Sequence, residues 1–316
     1  MLDTIEHFSS ANKRRITSIT NKVIKNYPKY RSKRDPILYN FYKTNPSDHY
    51  PNGYFFSKFQ HFELADDADV TCIVTLTLQS IGKVELSQIN KIRDYLIEFS
   101  NLNKKKIKFT SPAYSKLKAY GVWFGSGKMP IEFDICVMVN ILCFIFKNNL
   151  RLNQQDLDSL AYIRNAINNY DVINNSFTIS YIYPDPTIIL YHITRLWSNM
   201  PNPELYLPKE IIFTMLESQL STTDSTLKKI ILSTSFLKMG VNVSRIQYSL
   251  DGLKKEFKSF GFFIAPMLKG TNSDFLNKLA ELKPFQILFD CEAYYYALIL
   301  EYELLKKHFT TKPKLH

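Results

Sequence analysis

The residues best equipped for chemistry form one short acidic run, Ala65-Asp66-Asp67-Ala68-Asp69-Val70-Thr71-Cys72, placed where an apolar helical stretch begins. Carboxylates crowded within one turn raise one another's pKa, and burial raises it further. An enclosed turn of this kind can hold a proton and then release it as a strong acid into a water-poor cavity. The competing reading is structural, because Asp is a preferred helix N-cap and suits the positive end of the helix dipole. Asp66, Asp67 and Asp69 are the candidate acids, of which at least one is then forced to hold its proton.

A second acidic passage, Glu132-Phe133-Asp134, opens the next apolar helix. Its acids either complete a cluster around a cavity, with Asp134 tuning the donor and Glu132 meeting substrate, or cap their own helix. A carbocation formed by protonation would be steadied by aromatic faces. The candidates are Tyr54, Phe55, Phe56, Tyr120, Trp123, Phe124, Tyr181, Tyr183, Phe262 and Phe263, all in turns that precede apolar helices. Packing alone also accounts for aromatics, which bury ~150 to 250 Å² each in a core.

Two kinds of helix must position these residues. Ser9 to Tyr27, Leu86 to Phe99, Asn153 to Asn168, Pro208 to Leu220 and Val243 to Ser259 are amphipathic with charged faces, as expected of an outer layer. Asp69 to Ile81, Asp134 to Phe146, Asp185 to Trp197, Asp224 to Met239 and Asp290 to Leu305 are apolar around most of their circumference, so protein must surround them. Each helix of the second set opens on an aspartate. Alternating outer and inner helices of this kind close most simply into an all-α, α/α toroid whose inner N-termini share one rim.

Composition narrows the partners. The chain has 316 residues, enough for a large core, and 45% apolar residues exclude general disorder. Nine glycines are few for a protein of many hairpins. The net charge of +11 is spread over clusters at Lys13 to Arg15, Lys29 to Arg34 and Lys104 to Lys108, with no nucleic-acid module around them, so no nucleic-acid partner is expected. These clusters either face water or touch a diphosphate or the surface of a membrane. Cys72, Cys136, Cys143 and Cys291 lack paired spacing and read as free thiols. With no signal peptide pattern and no apolar run of spanning length, a cytoplasmic protein is expected.

Three passages resemble the prenyltransferase and terpenoid-cyclase toroid family, which includes squalene-hopene cyclases and class II diterpene cyclases. They are Asp67-Ala68-Asp69-Val70-Thr71, Tyr120-Gly121-Val122-Trp123-Phe124-Gly125 with Glu132-Phe133-Asp134, and Phe289-Asp290-Cys291-Glu292-Ala293. Class II members carry Asp-Xaa-Asp-Asp-Thr, whose middle acid is the proton donor. The resemblance therefore implies Asp69 as donor and Thr71 as the motif threonine, while Val70 replaces the last Asp and leaves the donor's orientation unexplained. Asp134-Ile135-Cys136 also resembles the zinc ligands of protein prenyltransferase β subunits, but His192 lies about two turns into its helix, and small buried thiols are the simpler reading.

The expectation is thus a single α/α toroid over residues 1–316, with 1–50 as an N-terminal outer-layer extension and 309–316 as a flexible tail. Its expected function is a class II, protonation-initiated isoprenoid cyclase or isomerase acting on a hydrophobic prenyl ligand. No cofactor or metal is expected, unless a diphosphate substrate brings Mg2+. The alternative is a non-catalytic toroid that binds a lipid, a polyprenyl ligand or a protein partner.

Overall fold

A computed structural model describes residues 9–50, 53–104, 106–107, 110, 113–125, 131–258, 260–268 and 274–311. Helix accounts for 57% of the chain, so the all-α class holds. The chain divides into two compact units, Met1–Phe133 with Asn140–Ser159, and Asp134–Val139 with Leu160–His316.

In the first unit lie α1 (Ser10–Ile24), the two-residue strand β1 (Asp66–Asp67), α2 (Ala68–Gln79), α3 (Leu86–Glu98) and the strand β2 (Trp123–Phe124). Helices α4 (Ile135–Lys147) and α5 (Gln154–Asn168) each give part of their length to this unit. Strands β1 and β2 pair antiparallel, Asp66 opposite Phe124 and Asp67 opposite Trp123. Helix α2 ends on Gly82, whose φ of +70° admits the tight turn that a side chain would strain. A buried ion pair sits beneath α3. Asp156, fully buried, accepts from Arg93 at 2.6 Å, from the Tyr120 hydroxyl at 2.7 Å and, at the start of its own helix, from the Asn153 N–H at 2.8 Å.

The second unit runs through α6 (Asp171–Asn174), α7 (Ser176–Ile179), α8 (Pro186–Trp197), α9 (Lys209–Thr222), α10 (Thr226–Lys238), α11 (Leu250–Phe257), β3 (Phe263–Pro266), α12 (Asp274–Leu279), β4 (Gln286–Phe289) and α13 (Glu292–Thr311). Helix α10 packs against α8 and α13. Ile188, Leu227, Ile230, Ile231, Leu298 and the fully buried rings of Tyr295 and Tyr302 fill the space among them. Each such aliphatic side chain contributes about 1.5–3 kcal/mol by leaving water. The apolar circumference of α8 and α10 follows from this enclosure.

Four sequence expectations shift. The expected helix from Val243 to Ser259 is helical only over Leu250–Phe257. Its first half is held by α13 instead, where the Ile246 N–H donates to the Tyr302 hydroxyl at 2.8 Å and Tyr248 donates to Glu303 at 2.7 Å. Tertiary hydrogen bonds override helical periodicity there. The turn expected at Gly261 to Pro266 contains strand β3, paired antiparallel with β4. Helix α10 opens on Ser225, whose hydroxyl accepts from the Lys228 N–H at 3.2 Å, and not on Asp224. The proposed tail from 309 is helical as far as Thr311, and residues 312–316 lie outside the described residues.

Asp156→Asn is expected to destabilise the protein by ~3 kcal/mol, because Arg93 is left in the interior with half its partner removed. Urea unfolding followed by Trp123 and Trp197 fluorescence measures this, and a loss below about 1 kcal/mol would contradict the buried pair.

Candidate functional site

The acidic run acquires its geometry from three local causes. Asp67 is the N-cap of α2: its side chain accepts from the Val70 N–H at 3.0 Å, satisfying one of the orphan donors of the first turn. Its own N–H donates to Tyr39 O at 2.8 Å, and the Tyr39 N–H donates to the Thr71 hydroxyl at 2.9 Å, so a buried extended residue pins both ends of the motif. Asp69 falls two positions after the cap, in the first turn, and is only 4% exposed.

Asp69 has a specific partner. The side-chain amide of Asn140, on α4 and 2% exposed, donates a short hydrogen bond to Asp69 Oδ1. Because a carboxylate oxygen only accepts, the amide must present its NH2 group there. Asn140 Oδ1 then has no hydrogen-bond partner among the described residues, and neither does the buried indole N–H of Trp123, across the ladder from Asp67. A donor and an acceptor left over beside a buried acid are unusual in a packed interior. Burial, with the charges of Asp69 and Asp67 next, raises the Cys72 thiol well above its ordinary value, so it stays un-ionised.

Asp66 points elsewhere. It accepts from the Ser32 hydroxyl at 2.7 Å and lies 3.5 Å from Arg34, yet burial outweighs both and raises its pKa. Arg34 itself lies over the rings of Tyr95 and Phe99 at 5.4 Å each, so this member of the basic run is spent on packing.

Asp134 belongs to the second unit and is fully buried. It caps α4 through the N–H groups of Cys136 at 2.9 Å and Val137 at 3.3 Å, and accepts from the Ser180 hydroxyl at 2.9 Å and the Ile182 N–H at 3.2 Å. Burial pushes its pKa up to about 7 against the pull of all four donors. Glu132 is 9% exposed, in the first unit, and its carbonyl accepts from Val122 N–H at 3.1 Å.

The aromatic candidates separate. Trp123 and Phe124 are buried beside the acidic run, Phe124 packing at 6.0 Å on Tyr95 and 6.1 Å on Phe99. Tyr120, 1% exposed, is committed to Asp156. Tyr54 and Phe55 are open to water at 82% and 64%, so the structure places them outside any cavity wall; the side chain of Phe56 lies outside the description. In the second unit Phe262 stacks on Tyr294 at 4.2 Å, while Tyr183 meets Phe263 at 5.5 Å and the His192 ring at 5.3 Å. Tyr181 is 7% exposed. His192 Nδ1 bonds Ile188 O at 2.9 Å, and burial with the nearby Arg195 pushes its pKa down to about 3, keeping the ring neutral. No group of three or more His, Cys, Asp or Glu able to hold a metal occurs among the described residues. All four cysteines are free, and Cys291 is exposed rather than inside a helix.

Asn140 and Tyr39 are the residues that sequence reasoning passed over. Asn140 was visible as the one polar side chain inside Ile135-Cys136-Val137-Met138-Val139-Asn140-Ile141-Leu142, and a lone amide on an apolar helix needs a buried partner. Tyr39 left no such signal. Comparison with protein families, with curated proteins and with solved structures finds no match for the chain. No helix among the described residues is long and apolar enough to cross a membrane.

The raised pKa of Asp134 has a sign. Between 3.8 and about 7 the folded state keeps a proton that the unfolded chain has lost. This group's contribution is therefore whole below the lower value and disappears as pH rises through the upper one. The stability of wild type relative to Asp134→Asn should fall with pH across that window, by up to ~1.4 kcal/mol per unit. Urea titrations at a series of pH values check it; a pH-independent difference would mean Asp134 is ionised throughout.

Proposed function

We propose that the chain is a protonation-initiated isoprenoid cyclase or isomerase, built on the α/α toroid that its sequence resembles, with Asp69 as the acid. One observation carries this reading: Asp69 is buried and its Oδ1 is held by Asn140. In this reading Asn140 fixes the orientation of the carboxyl group, and with it the direction in which the proton is delivered. In the motif of class II cyclases the last Asp is missing here, replaced by Val70. Asn140, supplied by a different helix, takes over the orienting role.

The surroundings suit the chemistry. Asp67 caps the helix and Thr71 is tied to Tyr39, while Asp69 is the buried acid of the motif that a side chain from another helix holds. The Trp123 ring lies across the ladder from Asp67, where its face steadies developing positive charge. Its free indole N–H and the free Asn140 carbonyl give a ligand two polar contacts. The proton goes from Asp69 to an alkene carbon and the π pair forms the new C–H bond; the resulting cation, either directly or after closing on a second double bond to give a ring cation, then loses a proton back to the carboxylate.

A second reading, a non-catalytic protein that binds a lipid or polyprenyl ligand or a protein partner, is favoured by a different observation. Neither cavity described below is lined by Asp67 or Asp69.

Purified wild type and Asp69→Asn incubated with farnesyl, geranylgeranyl and squalene-type substrates separate the two. Wild type should give cyclised or isomerised product, and the variant at least ~100-fold less, the usual cost of losing a general acid. Equal product from both removes Asp69 from the reaction, and product from neither favours binding.

A further inference from the structure

The first unit contains a cavity of about 470 Å³, at the C-terminal end of α2 where the acidic run is at its start, within the size range of small-molecule sites. Three cations line it, Lys25, Arg31 and Lys83, together with Tyr27 and the apolar side chains of Ile24 and Leu78. No acidic residue lines it. A smaller cavity of about 50 Å³ shares Arg31, Tyr39, Leu78 and Lys83, so the space continues inward toward α3.

Its construction follows from how the elements end. Lys25 is the C-cap of α1. Lys83 follows the left-handed Gly82, and its N–H donates back to Leu78 O at 2.9 Å, which closes the end of α2 and fixes where the lysine starts. Arg31 is held in an antiparallel bridge with Tyr39, with the Ser32 N–H donating to Leu38 O at 2.9 Å beside it. Tyr27, half-buried, is hydrogen-bonded to Thr77, and burial raises its pKa, so it stays a neutral hydroxyl.

The favourable position of a lysine at a helix C-terminus explains Lys25 and Lys83 singly. It does not explain why Arg31 joins them, nor why the other ion pairs of this unit, such as Lys33 with Glu63 and Lys91 with Asp35, leave these three out. Among the described residues none of the three forms an ion pair. All three are exposed, so water weakens their mutual repulsion, and the positive field they share over one concave, partly apolar space favours an anion there.

We propose that this cavity is a binding site for a phosphate-bearing ligand, its phosphate or diphosphate gripped by Lys25, Arg31 and Lys83 and its apolar part resting on Ile24 and Leu78. Arg31 supplies the planar fork that pairs two phosphate oxygens, and the lysines act as point charges on either side. The same chemistry serves a free phosphate ester or a lipid headgroup. The site is independent of Asp69.

Isothermal titration of the wild-type protein with inorganic pyrophosphate tests it, beside the triple variant Lys25→Gln/Arg31→Gln/Lys83→Gln. A charge-matched control carries Lys13→Gln, Arg14→Gln and Arg15→Gln, and Asp69→Asn completes the set. Saturable binding weakened at least about tenfold in the triple variant, and unchanged in the control and in Asp69→Asn, is the expected result. A second arm sediments the proteins with phosphatidylcholine vesicles with and without phosphatidic acid. Co-sedimentation of wild type but not of the triple variant assigns the phosphate to a lipid; pyrophosphate binding without co-sedimentation assigns it to a soluble ester. Thermal melting shows whether the triple variant is folded, and single Arg31→Gln serves in its place if it is not. The proposal is overturned if variant and wild type bind pyrophosphate alike, if the control loses binding as much as the triple variant, or if wild type binds neither pyrophosphate nor vesicles.

Discussion

Buried helix N-termini impose one constraint on this protein: their unpaired N–H groups need acceptors, and carboxylates supply them. Asp67 caps α2, Asp134 caps α4 and Asp185 caps α8, each within about a hydrogen bond's length of the N–H groups it serves, while at the start of α5 Asn153 and Asp156 accept from each other's N–H. Glu256 does the same from a distance, accepting from the N–H groups of Thr226 and Leu227 at 3.1 and 3.0 Å, and those bonds outweigh burial and lower its pKa. Asp69 is the exception. It stands two positions past its cap, and an amide on another helix holds it, so a second carboxyl is carried into the interior.

That difference separates chemistry from architecture among acids that look alike. Asp134 is more deeply buried than Asp69, but its two oxygens are saturated by four residues' donors, and a group so occupied serves structure. Glu301 is likewise enclosed, yet it is paired with Lys238 and the Tyr191 hydroxyl; burial is outweighed by Lys238 and its pKa falls. Beside Asp69 the leftover Trp123 N–H and Asn140 carbonyl mark a place where the interior is polar without being self-satisfied. Interiors tolerate such groups where they meet something other than the protein.

Much of the helical framework was legible because apolar runs bounded by Asp, Ser, Pro and Gly leave little choice. The expected Asp134 to Phe146 and Asp185 to Trp197 became Ile135–Lys147 and Pro186–Trp197. Where tertiary hydrogen bonds act, as on residues 243–248, periodicity misled. The burial of Asp69 was legible from its neighbours, but its hold on Asn140 was not, since 71 residues separate them and only folding reveals the pairing. The exposure of Tyr54 and Phe55 was not legible, since aromatic turns carry no mark of which way they face. The basic cavity was legible only in part: Arg31 belongs to the conspicuous run from Lys29 to Arg34, whose other members go to Asn26, Glu63 and the rings of Tyr95 and Phe99, but Lys25 and Lys83 come from separate element ends that only folding brings to it.

The pairing of Asp69 with Asn140 is the physical centre of this account, and a double-mutant cycle measures it most directly. Unfolding free energies of wild type, Asp69→Ala, Asn140→Ala and the double variant should not add, with a coupling energy of ~1 kcal/mol or more for a hydrogen bond in the interior. Additive losses within about 0.3 kcal/mol would mean that the two side chains do not meet in solution and that nothing orients the acid.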